Sequence, residues 1–510
     1  MDPVAPAKPR IRVPAGSSRM DTPLGAPVAL PMAAPAQPHT GASTGRRLMH
    51  WRPGASGPNA VVQASGPELV RRSRDARRNN PLAKRAMDLI PTHVVGTGIK
   101  PRSLCSNRKV REALNQLWAD QVPFMDADGT LDFYGQQALA VSEMVEGGEA
   151  FARLRTRRIT DGLPVPLQIQ LLPGEMVPLD YKALAGANPV AQGIERNAIG
   201  QRTAYWMLPR HPNEWIGTDF GLDMTPRRVP AGDVCHLFNV SRAGQLRGLP
   251  WLAAGIATLH QVFAYQDAEL LRKQMAASIV AFVKKAVTGD TTPEEMAAAY
   301  GQVQQGLGDL PTVSMEPGTV QYLEPGEDIT FSTPADVGTN YEPFLASGYR
   351  AVAASVNVLY EELTGNWKDA NDRTFRAQFG TFKRAVRQWQ WHLVCAQFNE
   401  PIWRRFVSYA VGYGLVRVPK SVTEADLYRV EHRPERWEYL NPKQDVETVS
   451  SEIEAGLTSR EAAVAERGDD IEVIDAQRAS DLEREERLRL SRPAKPGSQL
   501  PEQADPSGAE

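Results

Sequence analysis

Two long apolar stripes dominate the second half of the chain. Leu345, Tyr349, Val352, Val356 and Leu359 are spaced 4, 3, 4 and 3. Phe375, Phe379, Phe382, Val386, Trp389, Leu393 and Ala396 are spaced 4, 3, 4, 3, 4 and 3. Each set lies on one face of a helix. The second runs from about Arg373 until Pro401 forces a break, roughly 40 Å at 1.5 Å per residue. Between the stripes, Glu361 to Asp372 reads EELTGNWKDAND, too polar and too rich in turn formers to continue either helix. A stripe of this kind is ordinarily core packing. It predicts two rigid helices joined by a polar loop and names no function.

The rest of the chain has other periods. Leu252, Ile256, Leu259 and Phe263 recur at 4, 3 and 4 residues, which predicts a helix over 251–283 closed by Lys284 and Lys285. Residues 284–333 are irregular, with Gly and Pro punctuation. Before Pro250 the pattern is mixed: helices interrupted at Pro81, a helix around Gln136 to Val145, and a strand pair at Ala150 to Arg155 and Leu167 to Leu172. Ala204 to Leu208 and Val234 to Val240 read as further strands. Residues 67–250 are thus an α+β domain, and the fold class is mixed α+β. Thr458-Ser-Arg-Glu461 is a capping box for a short helix stopped by Gly468. Asp469 to Arg489 then reads as a charged helix. Residues 1–66 and 491–510 are rich in Pro, Gly, Ala and Ser, lack a period, and read as a disordered arm and tail.

Composition narrows the function classes. The 510 residues carry a formal net charge of -2, so the surface is not that of a protein that grips nucleic acid everywhere. Cys105, Cys235 and Cys395 form neither a disulfide framework nor a metal pair, which suits a reduced interior. The apolar stretch at Ala276 to Val283 is too short to span a bilayer, and no signal peptide is legible. His93, His211, His236, His260, His392 and His432 lack metal-ligand spacing. No GxxxxGK[ST] loop is present, which excludes an ATP motor of that class.

Three local motifs carry possible chemistry. Gly41-Ala-Ser-Thr-Gly45 matches GxSxG but sits in the arm with no strand before it. Asp126-Ala-Asp-Gly-Thr130 is similar to the DxDGT motif of haloacid-dehalogenase-type phosphatases. In that reading Asp126 is the nucleophile and Asp128 the general acid, with Asp469 and Asp470 as distant magnesium ligands. A turn built on Asp and Gly is the plainer account. The cluster Arg71, Arg72, Arg74, Arg77 and Arg78 suits DNA phosphates or a neighbouring subunit, although such a run is ordinarily a solvated helix face. In the 361–372 loop Lys368 is the one cation, with Arg373 just after it. Glu361, Glu362, Asp369 and Asp372 outnumber them.

Taken in order along the chain, several stretches resemble the lambda-type family of bacteriophage portal proteins. They are Arg74-Asp-Ala-Arg-Arg-Asn-Asn80, Val94-Val-Gly-Thr-Gly98, Glu146-Gly-Gly-Glu-Ala-Phe151, and Gly193-Ile-Glu-Arg196 with Tyr205-Trp206. Gln245-Leu-Arg-Gly-Leu-Pro-Trp251, Asp372-Arg-Thr-Phe-Arg376, Glu438-Tyr-Leu-Asn-Pro-Lys443 and Gly456-Leu-Thr-Ser-Arg460 follow. The resemblance covers about Leu69 to Glu485 and implies a ring of usually twelve copies at one capsid vertex. That ring would be a channel for double-stranded DNA in packaging and ejection, located in the virion after synthesis in the host cytoplasm. It implies a wing at 67–250, stem helices at 251–283 and 338–360, a clip at 284–333 and a tunnel loop at 361–372. A long helix and wing return at 373–440 and a crown at 441–490 complete the mapping. The implied tunnel residues are Glu361, Glu362, Asn366, Trp367, Lys368, Asp369, Asn371, Asp372 and Arg373. The implied partners are further copies of the chain, DNA, the large terminase subunit, capsid or scaffold protein and head-completion adaptors. No catalytic centre, cofactor or membrane is implied. A phosphatase and a capsid assembly protein without a channel are the competing readings.

Overall fold

The computed structural model describes residues 49–214, 223–277, 281–285, 327–331, 341–368, 370–437 and 442–490. The chain divides into two units, Met1–Ser56 and Gly57–Glu510. The first is described only from residue 49, so Gly41 to Gly45 lies outside the described residues. The second opens with α1 (Pro58–Asn79), which starts well before the boundary expected at 67. Pro58 sits in the first turn, where its missing N–H costs no hydrogen bond. The buried positions of α1 are Val62, Gly66 and Ser73, and two of the three are too small or polar to register as an apolar stripe.

Next come α2 (Pro81–Val94), β1 (Lys100–Ser103), α3 (Arg108–Gln121) and α4 (Phe133–Gly147). Asn80 caps α2, its side chain accepting from the backbone N–H groups of Leu82 and Ala83 at 3.0 Å. The strands that follow are β2 (Glu149–Thr156), β3 (Leu167–Pro173), β4 (Ala183–Ala185), β5 (Asn188–Ala191), β6 (Ile194–Arg196), β7 (Arg202–Met207), β8 (Arg227–Pro230) and β9 (Val234–Phe238). The expected strand pair is present: β2 runs antiparallel to β3, from Ala150 opposite Pro173 to Thr156 opposite Leu167. Strand β9 closes the other edge of β2, giving the order β3-β2-β9, while β4 to β8 form a five-stranded meander. Phe151, Val177, Ile194, Tyr205, Met207, Val229, Val234 and Leu246 make a separate small core there.

Helix α5 (Ile256–Ala277) ends earlier than the expected 283. Residues Ala281–Lys285 are instead a strand, β10, paired antiparallel with β11 (Glu327–Phe331). Phe282 and Val283 suit a pleated ladder, and the ladder satisfies the backbone. Most of the irregular 284–333 stretch lies outside the described residues. Then come α6 (Tyr341–Val356), the short α7 (Tyr360–Thr364) and α8 (Asp372–Trp389).

The expected break at Pro401 does not occur. Gln390–Asn399 is π-helical and hands over to α9 (Glu400–Gly412). The N–H of Glu400 donates to the carbonyl of Cys395, five residues back, and Pro401 falls in the first turn of α9. A proline there lacks only a bond that the turn does not require. After α10 (Glu424–Leu427), strand β12 (Val430–Arg433) pairs with β1. The chain ends in α11 (Pro442–Glu454), α12 (Arg460–Ala465) and α13 (Ile471–Leu488). Ser459, one residue after the expected cap, accepts from the Ala462 N–H at 3.0 Å.

The main core joins distant segments. Trp118 of α3 lies 4.9 Å from Phe133 of α4 and 4.9 Å from Phe406 of α9, ring centre to ring centre. Trp403 and Phe398 complete this cluster, and both are buried. Of the stripe from Phe375 to Ala396, the positions from Phe379 to Leu393 are core packing, as their spacing predicts, while Phe375 is half-buried and Ala396 exposed.

Candidate functional site

Helix α7 takes Glu361 and Glu362 out of the loop. It ends at Gly365, whose φ of +70° is the left-handed conformation of a helix C-cap. The polar loop proper is 365–371. Glu362 is tied to α2 twice. Its Oε2 lies 3.0 Å from His93 Nε2, and its carbonyl accepts from Arg85 Nε at 2.6 Å. Leu363, between them, is completely buried. His93 in turn stacks on Trp437 and meets Phe382 edge-on.

Short-range hydrogen bonds shape the loop. The Asn366 N–H donates to Thr364 Oγ1, and Asn366 Oδ1 accepts from the Lys368 N–H at 3.1 Å. Asn371 caps α8 by accepting from the Arg373 N–H. Trp367 is 48% exposed, yet its ring lies 5.3 Å from Phe375, which stacks on Phe379. Lys368 and Arg373 are exposed. Asp369 lies outside the described residues, and Asp372 opens α8. With both glutamates removed to α7, the local excess of acid expected from the sequence disappears. The α8 helix itself carries Arg373, Arg376, Lys383, Arg384 and Arg387, a feature that the apolar periodicity had masked.

The arginine cluster of α1 is largely spent within the chain. Arg74 meets Glu143 and Glu175, and Arg77 meets Glu146 at 2.6 Å and Asp88 at 2.9 Å. Arg71 and Arg72 both reach Glu68, while Arg78 stands 4.0 Å from Asp75. The first two arginines knit α1 to α4 and α2. The other three form exposed pairs of small energetic weight.

Asp126 folds a turn. Its carboxylate accepts from the N–H groups of Asp128, Thr130 and Leu131 at 3.0–3.1 Å and from Gln136 Nε2 at 2.8 Å. Burial alone would raise its pKa, but these backbone amides outweigh it and hold the group below its usual value. Such a carboxylate has few lone pairs left for a nucleophile's work. Asp470 caps α13 and pairs with Arg102, and the Asp469 carbonyl accepts from Arg433. No group of three His, Cys, Asp or Glu side chains that could hold a metal occurs among the described residues. The phosphatase constellation is therefore not assembled.

Two of the quoted sequence stretches do meet. Glu149 and Arg247 are both buried, and Arg247 spends its whole guanidinium on Glu149 and on the carbonyls of Val177, Gln192 and Gly174. His236 lies 2.9 Å from Glu149 through Nε2 and 2.6 Å from Arg202 through Nδ1. Burial pushes its pKa down to about 4, so at neutral pH it is uncharged. Nδ1 then accepts from Arg202 and Nε2–H donates to Glu149. Burial opposes ionisation of Glu149, but Arg247 and His236 outweigh it and lower its pKa to about 2. Beside this network two glycine backbones touch: a Cβ on Gly248 would lie 1.9 Å from the Gly148 carbonyl oxygen. Only glycine fits there.

A family model described as "Phage portal protein, lambda family" matches residues 44–390. The probable portal protein of Halomonas phage phiHAP-1 is 23% identical over 461 residues, covering 87% of this chain and 85% of the relative. Portal protein B of Escherichia phage lambda is 21% identical, with 89% and 90% covered. Among solved structures, a chain from the neck of an empty GTA particle covers 81% of this chain and 98% of its own, with 15% identity and a TM-score of 0.45.

Proposed function

Because the chain belongs to the lambda family of phage portal proteins, we propose that it assembles into a ring, of twelve copies, at one vertex of the capsid. The ring would pass double-stranded DNA during packaging and ejection. The observation that carries this is the family match, which runs through both helices flanking the loop and to the end of α8. In this reading 67–250 is the wing, α5 and α6 are the stem, and the 284–333 stretch is the clip. The turn at 365–371 faces the channel, and 441–490 is the crown. A closed ring repeats one heterologous interface, so a single chain suffices to build it. The sequence has no phosphate-binding motor loop, so the force must come from a partner, the large terminase subunit, docking on the clip. Capsid or scaffold protein would hold the wing, and head-completion adaptors would replace the terminase later. The reading needs neither a catalytic centre nor a cofactor.

Electron micrographs and the mass of the purified protein test it. Twelve 56.1-kDa copies give rings of about 670 kDa with a hole wide enough for duplex DNA. A compact monomer with magnesium-dependent phosphatase activity that Asp126→Asn abolishes would replace this reading with the enzyme. A closed shell or filament would favour an assembly protein without a channel.

A further inference from the structure

The five cations of α8 are not scattered. On a helix of 3.6 residues per turn, Arg373, Arg376, Lys383, Arg384 and Arg387 all fall within a sector of about 100°. This sector borders the apolar stripe. Asp372 is the only acid on the helix, and the chain as a whole is slightly acidic. The concentration of positive charge is therefore local.

Three of the five are occupied within the chain. Lys383 lies over the rings of Phe379 and Trp437, at 4.7 and 5.3 Å. Arg387 meets Glu466 at 3.4 Å, and Arg376 is engaged as well. Arg373 and Arg384 differ. Both are exposed, and among the described residues neither meets a carboxylate; the same holds for Lys368 in the loop. Arg373 and Arg384 are eleven residues apart, three turns of helix, so they share one side at a separation of about 16 Å. Between them stands Gly380, where an added Cβ would meet nothing within 4 Å. Among the described residues the face is open, carries charge at both ends and has no bulk at Gly380.

We infer that this face of α8 is a phosphate-contact site for duplex DNA, with Arg373 and Arg384 reaching the backbones on either side of a groove and Lys368 adding a third cation at the loop. A major groove is about 12 Å wide, and arginine side chains several ångströms long span the difference from 16 Å. Guanidinium groups suit phosphate oxygens in two-pronged geometry. Contacts to phosphates alone carry no sequence information and weaken with salt, as a channel that must release what it touches requires. The inference rests on the channel reading above and assigns the DNA contact to the helix wall, beyond the loop.

The test uses the purified oligomer and a fluorescent 30-base-pair duplex of mixed sequence, titrated over a range of salt concentrations. The double variant Arg373→Gln/Arg384→Gln is compared with the parent and with Arg387→Gln. The expected result is at least about tenfold weaker binding at low salt. The slope of log affinity against log salt should also flatten by about 0.9 for each phosphate that the protein no longer neutralises. Arg387→Gln removes a cation of the same sector that already lies 3.4 Å from Glu466, and it should weaken binding less than the double variant does. A double variant with the parent's slope overturns the site, while rings with a central hole would leave the channel reading standing. Dissociation of the oligomer by the double variant alone also overturns it and makes this face an interface between copies. A parent protein that forms no ring removes both readings together.

Discussion

Glu149 and Arg247 stand 98 residues apart in sequence, and their side chains share one buried site. A buried ion pair is costly to form and far more costly to halve, because the survivor is left charged without a partner. Glu149→Gln is therefore expected to destabilise the chain by about 3–5 kcal/mol in chemical unfolding, with the larger part coming from stranded Arg247. Acid should act on the same network. The folded pKa of His236 is depressed to about 4, so its contribution is complete above about pH 6.5 and is lost as the pH falls toward 4. That of Glu149 is depressed to about 2, so its contribution is complete above about pH 4.5 and is lost as the pH falls through 2. The unfolding midpoint should thus begin to fall near pH 6.5 and continue falling at lower pH; a midpoint flat from pH 7 to 4 would show that His236 is not held neutral by the fold. The sequence displayed both stretches, Glu146 to Phe151 and Gln245 to Trp251, as motifs. It could not display that they touch, since no local spacing encodes a contact across that distance.

At the scale of elements, apolar periodicity served the long helices well and the short ones poorly. The stripe from Phe379 to Leu393 is core packing as expected, although Ala396 at its end is exposed, and its π-helical part and the helix continuing past Pro401 were invisible. A change from one hydrogen-bond register to another leaves little trace in hydropathy. Helix α7 was missed for a simpler reason: five residues are too few to show a period. That omission mattered, because it assigned Glu361 and Glu362 to the loop and made the loop look acidic. The turn lies instead between Gly365 and the α8 cap, and α7, which follows left-handed Asn357 (φ +56°), is fastened to α2 through His93 and Arg85. Glu362→Ala removes the contact with His93 while the backbone bond to Arg85 remains. Amides of α7, such as Leu363 and Gly365, should then exchange with deuterium about tenfold faster, equivalent to about 1.4 kcal/mol of local stability. Unaltered exchange there would mean that buried Leu363 alone fixes the element.

At the scale of the whole molecule, the main core draws on segments from α2 to Trp437, whereas the C-terminal helices add little to it. Helices α11 and α13 contain no buried residue among those described. Leu457, in the turn between α11 and α12, is 80% exposed, and Val473, Leu482 and Leu488 of α13 are each about half exposed or more. Single exposed apolar residues are ordinary; Val473 and Leu482, nine residues apart, fall on opposite sides of α13 and form no common stripe, so it is Leu457, the most exposed of the four, that marks a contact point. The first turn of α13 is anchored to the folded body, through Arg102 and Arg111 on Glu472. The helices are therefore positioned by the monomer while these apolar side chains stay exposed among the described residues. In the closed ring proposed above, their cover would come from the neighbouring copy. Leu457→Ser should consequently leave the unfolding free energy of the isolated chain within about 0.5 kcal/mol, as surface changes do. It should also shift the mass distribution from ring toward monomer at low protein concentration. If mass photometry showed the ring undiminished, the interface would have to be carried by the earlier α+β region, whose strand β4 exposes Leu184 in the same way.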